Sequence, residues 1–169
     1  MRTSRTARTV TALIALVAPV AFLATPATAA PARDVIEGTN GPDFPDGTNG
    51  ADLIRVRGGD DVVTANGGAD RVWLGSGDDA GYGDAGNDQI VDGKGSDRMF
   101  GGSGADRLGN SYGHDLIGAG TGDDTVWLPP HDGVDRVHCG AGHDTVIYNL
   151  ESDDTDQIAP DCEEVLVLS

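Results

Sequence analysis

The chain is 169 residues long and carries 28 acidic residues against 11 Lys and Arg, a formal net charge of −17. That balance excludes nucleic acid and anionic membrane surfaces as partners, because both require basic patches. With 26 glycines and only 5% aromatic residues, so acidic a chain reads as disordered unless something neutralises it, and divalent cations are the natural candidate.

The first segment is a targeting signal. Arg2, Arg5 and Arg8 precede an apolar run from Val10 to Leu23, and Ala27-Thr28-Ala29 offers small residues at both positions that a signal peptidase reads. This is the pattern of a secretory signal peptide over residues 1–29, with Ala30-Pro31-Ala32 a second candidate cleavage site. The run is shorter than the roughly 20 residues a membrane-spanning helix needs. No later segment is apolar enough to be transmembrane, so the expectation is a secreted, extracellular protein without membrane insertion. Cleavage removes three basic residues and no acidic one, leaving a mature chain more acidic still.

After a short linker, residues 30–37, a nine-residue period dominates residues 38–147. Gly recurs at Gly41, Gly50, Gly59, Gly68, Gly77, Gly86, Gly95, Gly104, Gly113 and Gly122. Two residues after each glycine stands an aspartate: Asp43, Asp52, Asp61, Asp70, Asp79, Asp88, Asp97, Asp106, Asp115 and Asp124. Two further on, Ile54, Val63, Val72, Ile90, Met99, Leu108, Ile117 and Val126 supply apolar side chains, with Pro45 and Gly81 the exceptions.

Each part of the unit has a physical task. Glycine permits positive φ and close backbone approach, as a tight turn requires. The last three residues alternate outward, inward, outward, so the aliphatic one points into a thin core. The unit is then a six-residue turn and a three-residue strand, and two units make one coil. Coils stack at about 4.8 Å through parallel ladder hydrogen bonds, which predicts an all-β fold, a right-handed parallel β-roll (β-solenoid) of about five to six coils. Stacked turns line their aspartates up as a column of like charges that repel. Ca²⁺ between the turns removes the conflict, since it is a hard ion taking 6–8 oxygen ligands from carboxylates and carbonyls.

At these residues the chain resembles the RTX (hemolysin-type calcium-binding) family, whose unit reads G-G-x-G-x-D-x-U-x with U aliphatic. Gly101-Gly102-Ser103-Gly104-Ala105-Asp106-Arg107-Leu108-Gly109 and Gly47-Thr48-Asn49-Gly50-Ala51-Asp52-Leu53-Ile54-Arg55 are close copies. The pattern runs from 38 to 127 and resumes at 130–138 and 139–147, where Gly133 with Asp135 and Gly142 with Asp144 restore it. The resemblance implies that the aspartates from Asp43 to Asp124, with Asp135 and Asp144, are calcium ligands assisted by turn carbonyls. Where Val56, Ala65, Leu74, Asp92, Asn110 and Ala119 replace the first glycine, strained turns or weaker calcium sites are expected. Gly81 should leave a hole in the core, and the insertion at Leu128-Pro129-Pro130 should break the roll.

Residues 148–169 lose the register, although Asp156 and Ile158 echo the Asp-x-aliphatic step, and the apolar run Val165-Leu166-Val167-Leu168 suits a cap over the last coil. Cys139 and Cys162, an even pair in an exported chain, predict a disulfide tying that cap to the last repeat. Free thiols, or a metal site with His138 and His143, are the alternatives, but the spacing matches no Cys/His zinc pattern.

Trp73, Tyr82, Phe100 and Trp127 occupy the outward ninth position, where they either cover neighbouring coils or stack on a ligand. Neither H-E-x-x-H nor G-x-S-x-G occurs, and the Asp60-Asp61, Asp78-Asp79 and Asp123-Asp124 pairs follow from the repeat, so no enzyme is expected. Two functional classes remain: a calcium-binding structural or surface-associated protein, and an interaction module that calcium orders to bind a glycan or partner protein through its aromatics.

Overall fold

The computed structural model describes residues 33–130, 133–149 and 156–168; the expected signal peptide lies outside the described residues. Everything described is strand or turn, so no helix among these residues is long and apolar enough to cross a membrane. The chain winds into a parallel β-solenoid of about seven coils, more than the repeat count implied.

Two sheets face one another across the roll. One stacks eight strands: Val35–Glu37, Leu53–Arg55, Arg71–Trp73, Gln89–Val91, Arg107–Gly109, Thr125–Leu128, Thr145–Asn149 and Glu164–Leu168. The other runs through Val62–Thr64, Ala80–Gly86, Arg98–Ser103, Leu116–Thr121, Arg136–Ala141 and Gln157–Ile158, with Gly67–Gly68 also paired to Ala80–Gly86. Every pairing is parallel, and registers such as Ile54↔Val72 and Val72↔Ile90 set each residue against the one 18 positions on. A nine-residue step therefore alternates between sheets, and a double step advances one coil.

The inward column reads as expected. Ile54, Val63, Val72, Ile90, Met99, Leu108, Ile117, Val126, Val137 and Val146 are all buried, each contributing about 1.5–3 kcal/mol by leaving water. A second inward column comes from the first repeat position. Val56, Ala65, Leu74, Ala119, Leu128 and Cys139 are fully buried, so these departures from glycine thicken the core. Leu74 also closes the hole expected at Gly81, where an added Cβ would stand 3.2 Å from both Leu74 methyls and 3.4 Å from Ile90.

Strain does not follow the departures from the first glycine. Positive φ is adopted at the fourth position from Gly59 to Gly122 and at Gly142, and at most second positions. At Gly86, φ is +141° and an added Cβ would fall 1.3 Å from the Gly68 carbonyl oxygen. Among the described residues, those other than glycine in left-handed backbone are Arg57, Asn66 and Asp84, all at the second position, and it is there that the turns store strain.

Nor does the insertion break the roll. After Leu128-Pro129-Pro130 the pairing resumes in register, Leu116↔Arg136 and Ile117↔Val137, with the offset between coils lengthened from 18 to 20 residues. The extra residues fall between the strands Thr125–Leu128 and Arg136–Ala141, outside the paired positions. Both ends also extend beyond the motif. Val35–Glu37 pairs with Leu53–Arg55, so part of the linker is the first strand. At the other end Gln157–Ile158 and Glu164–Leu168 add one more coil. A disulfide joins Cys139 to Cys162, 23 residues apart, and both cysteines are buried against the core. With the sulfurs bonded to each other, the thiolate and zinc alternatives close.

Candidate metal centre

Stacking converts the periodic aspartates into two ladders, one along each row of turns. In each, the backbone N–H of one aspartate donates to Oδ1 of the aspartate one coil on, and at the end of the second ladder to Oε2 of Glu163. The first runs from Asp43 through Asp61, Asp79, Asp97, Asp115 and Asp135 to Asp156, with N···O distances of 2.7–3.0 Å. The second runs from Asp34 through Asp52, Asp70, Asp88, Asp106, Asp124 and Asp144 to Glu163, at 2.6–3.0 Å.

All twelve aspartates expected from the repeat stand on these ladders. Three further members, Asp34, Asp156 and Glu163, were not expected as ligands. Asp34 could have been found, because it stands nine residues before Asp43 and is followed by the inward Ile36, though no glycine precedes it. Glu163 could not, because only the strand pairing brings it opposite Asp144.

The second carboxylate oxygen makes the site. Asp61, Asp70, Asp79, Asp88, Asp106 and Asp124 are each about 1% exposed, and their Oδ2 atoms are shielded from water with no donor at hydrogen-bond geometry; Asp97 and Asp144 share this condition. A buried carboxylate oxygen without a partner is strongly unfavourable. Burial accordingly raises these acids: Asp88 to about 7 and Asp79, Asp97 and Asp124 to about 6, with the amide of the preceding ladder residue opposing the shift and neighbouring aspartates adding to it. Asp61, Asp70 and Asp106 are raised for the same principal reason.

The amino-terminal rungs differ. Oδ2 of Asp43 accepts from the Thr39 N–H (2.5 Å) and hydroxyl (3.0 Å), and Oδ2 of Asp52 from the Thr48 N–H (2.6 Å) and hydroxyl (3.0 Å). Burial pushes Asp52 up, but the Asp34 and Thr48 donors outweigh it and the net shift is downward.

The donor set suits a hard cation. At Gly83 an added Cβ would stand 2.5 Å from the Gly101 carbonyl oxygen and 2.6 Å from Asp88 Oδ2; at Gly101 the Ala119 carbonyl and Asp106 Oδ2 would both lie at 2.5 Å. A carbonyl and an unpartnered carboxylate oxygen thus face one small space that the missing side chain leaves open. Carboxylates and carbonyls at that density are the oxygen donors that calcium takes.

One departure stands out. Asp92, at the first position of its repeat, is only 5% exposed, and burial, with repulsion from Asp115, Asp97 and Asp135, pushes it to about 9, the nearby Ser111 tempering the shift. One coil on, the Asn110 side-chain amide donates to Asp135 Oδ2.

The other sequence signals lie on the turns and the outer sheet faces. Asp60, Asp78 and Asp123 accept backbone N–H bonds one coil on, at 2.8–3.1 Å, on the exposed fifth position. Tyr82 and Phe100 stack with centroids 5.3 Å apart, and Arg55 lies 4.8 Å over the Trp73 ring. Trp127 keeps half its surface exposed.

Residues 46–80 and 82–108 match the family of RTX calcium-binding nonapeptide repeats, in four copies. No curated protein and no solved structure matches the chain. The repeats over residues 46–108 are therefore RTX calcium-binding repeats, and the ion such repeats bind is Ca²⁺.

Proposed function

We propose that this RTX calcium-binding repeat protein is secreted and completes its fold on meeting extracellular calcium, serving as a structural or surface-associated element without chemistry of its own. The observation that carries this reading is the pair of aspartate ladders, in which one oxygen of each carboxylate is held by a backbone N–H while in Asp61, Asp70, Asp79, Asp88, Asp106, Asp124 and Asp144 the other is buried with no donor at hydrogen-bond geometry. Asp61, Asp70, Asp79, Asp88, Asp97, Asp106, Asp115, Asp124, Asp135 and Asp144 hold the ions, with turn carbonyls completing the shell. Asp43 and Asp52 join only by releasing their threonines. Bound Ca²⁺ supplies the positive charge that lets neighbouring carboxylates stay ionised side by side. Binding confined to the folded state then stabilises the fold by linkage. The amino-terminal signal pattern and the disulfide support an extracellular setting.

The test is a far-ultraviolet circular dichroism titration of the mature chain, from chelator to millimolar calcium, with calorimetric stoichiometry. A spectrum of β-structure developing with calcium, and several ions bound per chain, is expected. An unchanged spectrum with no heat of binding would overturn the reading.

A second reading has one observation in its favour. Gly109 leaves a groove in the first sheet between Val91 and the half-exposed Trp127, with Gln89, Arg107, Ser111 and Thr125 around it. Under this reading the calcium-ordered roll presents the groove to a glycan. Binding on a glycan array that disappears with Trp127→Ala would favour it, and an array without signal would dismiss it.

A further inference from the structure

Along one edge of the roll the first repeat position builds an inward column: Gly38, Val56, Leu74, Asp92, Asn110, Leu128. Apolar or neutral residues fill it everywhere except at Asp92. This carboxylate is 95% buried, and neither of its oxygens reaches water or a donor at hydrogen-bond geometry. It points at the ladder beside it, where oxygens from Asp92, Asp97 and Asp115 all lie within 4.8 Å of one another. The charges acting on it are those of Asp115, Asp97 and Asp135, all negative, and the nearby Ser111 hydroxyl only partly offsets them. Asp97 contributes its own buried Oδ2.

We propose that Asp92, Asp97 and Asp115 hold one hard cation among them, a three-carboxylate site inside the roll in which Asp92 is a ligand the repeat does not supply. Asp92 comes from the position the repeat reserves for glycine, so the motif predicts a weakened site where the geometry builds a stronger one. Affinity at calcium sites rises with the number of charged ligands. This rung is therefore the first to fill, and it also favours a trivalent lanthanide over calcium. The inference rests on the calcium-binding reading above but adds a ligand and an order of filling that the reading does not need.

The test is calorimetric titration of the full mature chain with Ca²⁺ and separately with Tb³⁺, for wild type, Asp92→Asn and Asp92→Leu. Asn already stands next in the column at Asn110 and Leu stands before it at Leu74, so both side chains suit the position. The wild type should show one tightest class of about one ion. Both variants should weaken that class at least tenfold, leave the other sites unchanged, and require more calcium to reach the same circular dichroism signal. Isotherms and folding midpoints that superimpose on the wild type's would overturn the proposal, since Asp92 would then be carrying a proton. A wild type that binds no calcium at all would instead overturn the function from which the proposal starts.

Discussion

Replacing Asp88 by Asn should act in opposite directions with and without calcium. Asp88 sits in the middle of the second ladder, 1% exposed, with Oδ1 accepting the Asp70 N–H at 2.8 Å and Oδ2 unpartnered. Burial first, then repulsion from Asp70 and Asp106, lifts it from 3.8 to about 7. At about 1.36 kcal/mol per unit, ionising it in the metal-free roll at pH 8 costs about 4 kcal/mol, and roughly half of that once water at the ladder flank screens the charges. Asn keeps the carbonyl that accepts the Asp70 N–H and removes the charge. In chelator at pH 8 the folded-to-unfolded ratio of Asp88→Asn should thus rise by about 30-fold, the equivalent of ~2 kcal/mol. In calcium the same change removes a charged ligand worth about 1.5–3 kcal/mol, so the calcium midpoint should rise about tenfold or more. Circular dichroism followed along a calcium titration, and along an osmolyte titration in chelator, reads both effects. A variant less folded than wild type in chelator, or one with an unmoved calcium midpoint, would refute the reasoning.

The ladder acids also set a pH dependence. Because their folded values lie above the unfolded one, the metal-free roll binds more protons than the unfolded chain. Stability in chelator is fully present near pH 4 and is lost as pH rises through about 6 to 7, the reverse of ordinary acid unfolding; a folded fraction that rises with pH in chelator would contradict this. Gly86→Ala, whose Cβ would fall 1.3 Å from the Gly68 oxygen at a φ of +141°, should destabilise the calcium-bound roll by at least about 3 kcal/mol in urea unfolding. Reducing the Cys139–Cys162 bridge, which closes a 23-residue separation, should lower stability by about 3 kcal/mol in the same assay. Leu74→Ala should cost about 2–5 kcal/mol, because Leu74 fills the space over Gly81; a loss below ~1 kcal/mol would mean that the coil collapses over the gap.

The sequence by itself determined the period, and with it most of the fold. A nine-residue step of Gly, Asp and aliphatic residue fixes a turn, an inward side chain and a carboxylate at each turn, since all three are local consequences of backbone geometry and side-chain alternation. The twelve periodic aspartates, the disulfide and the parallel roll were legible for that reason. What depends on the spacing between coils was not. Only stacking decides that one oxygen of Asp88 meets the Asp70 N–H while the other stays dry, or that Thr39 and Thr48 engage Asp43 and Asp52. The tolerance of the Pro129-Pro130 insertion, and the entry of Glu163 into the ladder, follow from hydrogen-bond register between strands and not from residue count. The meeting of Asp92 with Asp97 and Asp115 likewise requires the first position to turn inward, and that direction is set by the coil on either side of it. Neighbours along this chain specify the rung; neighbours across the coils specify what each rung can hold.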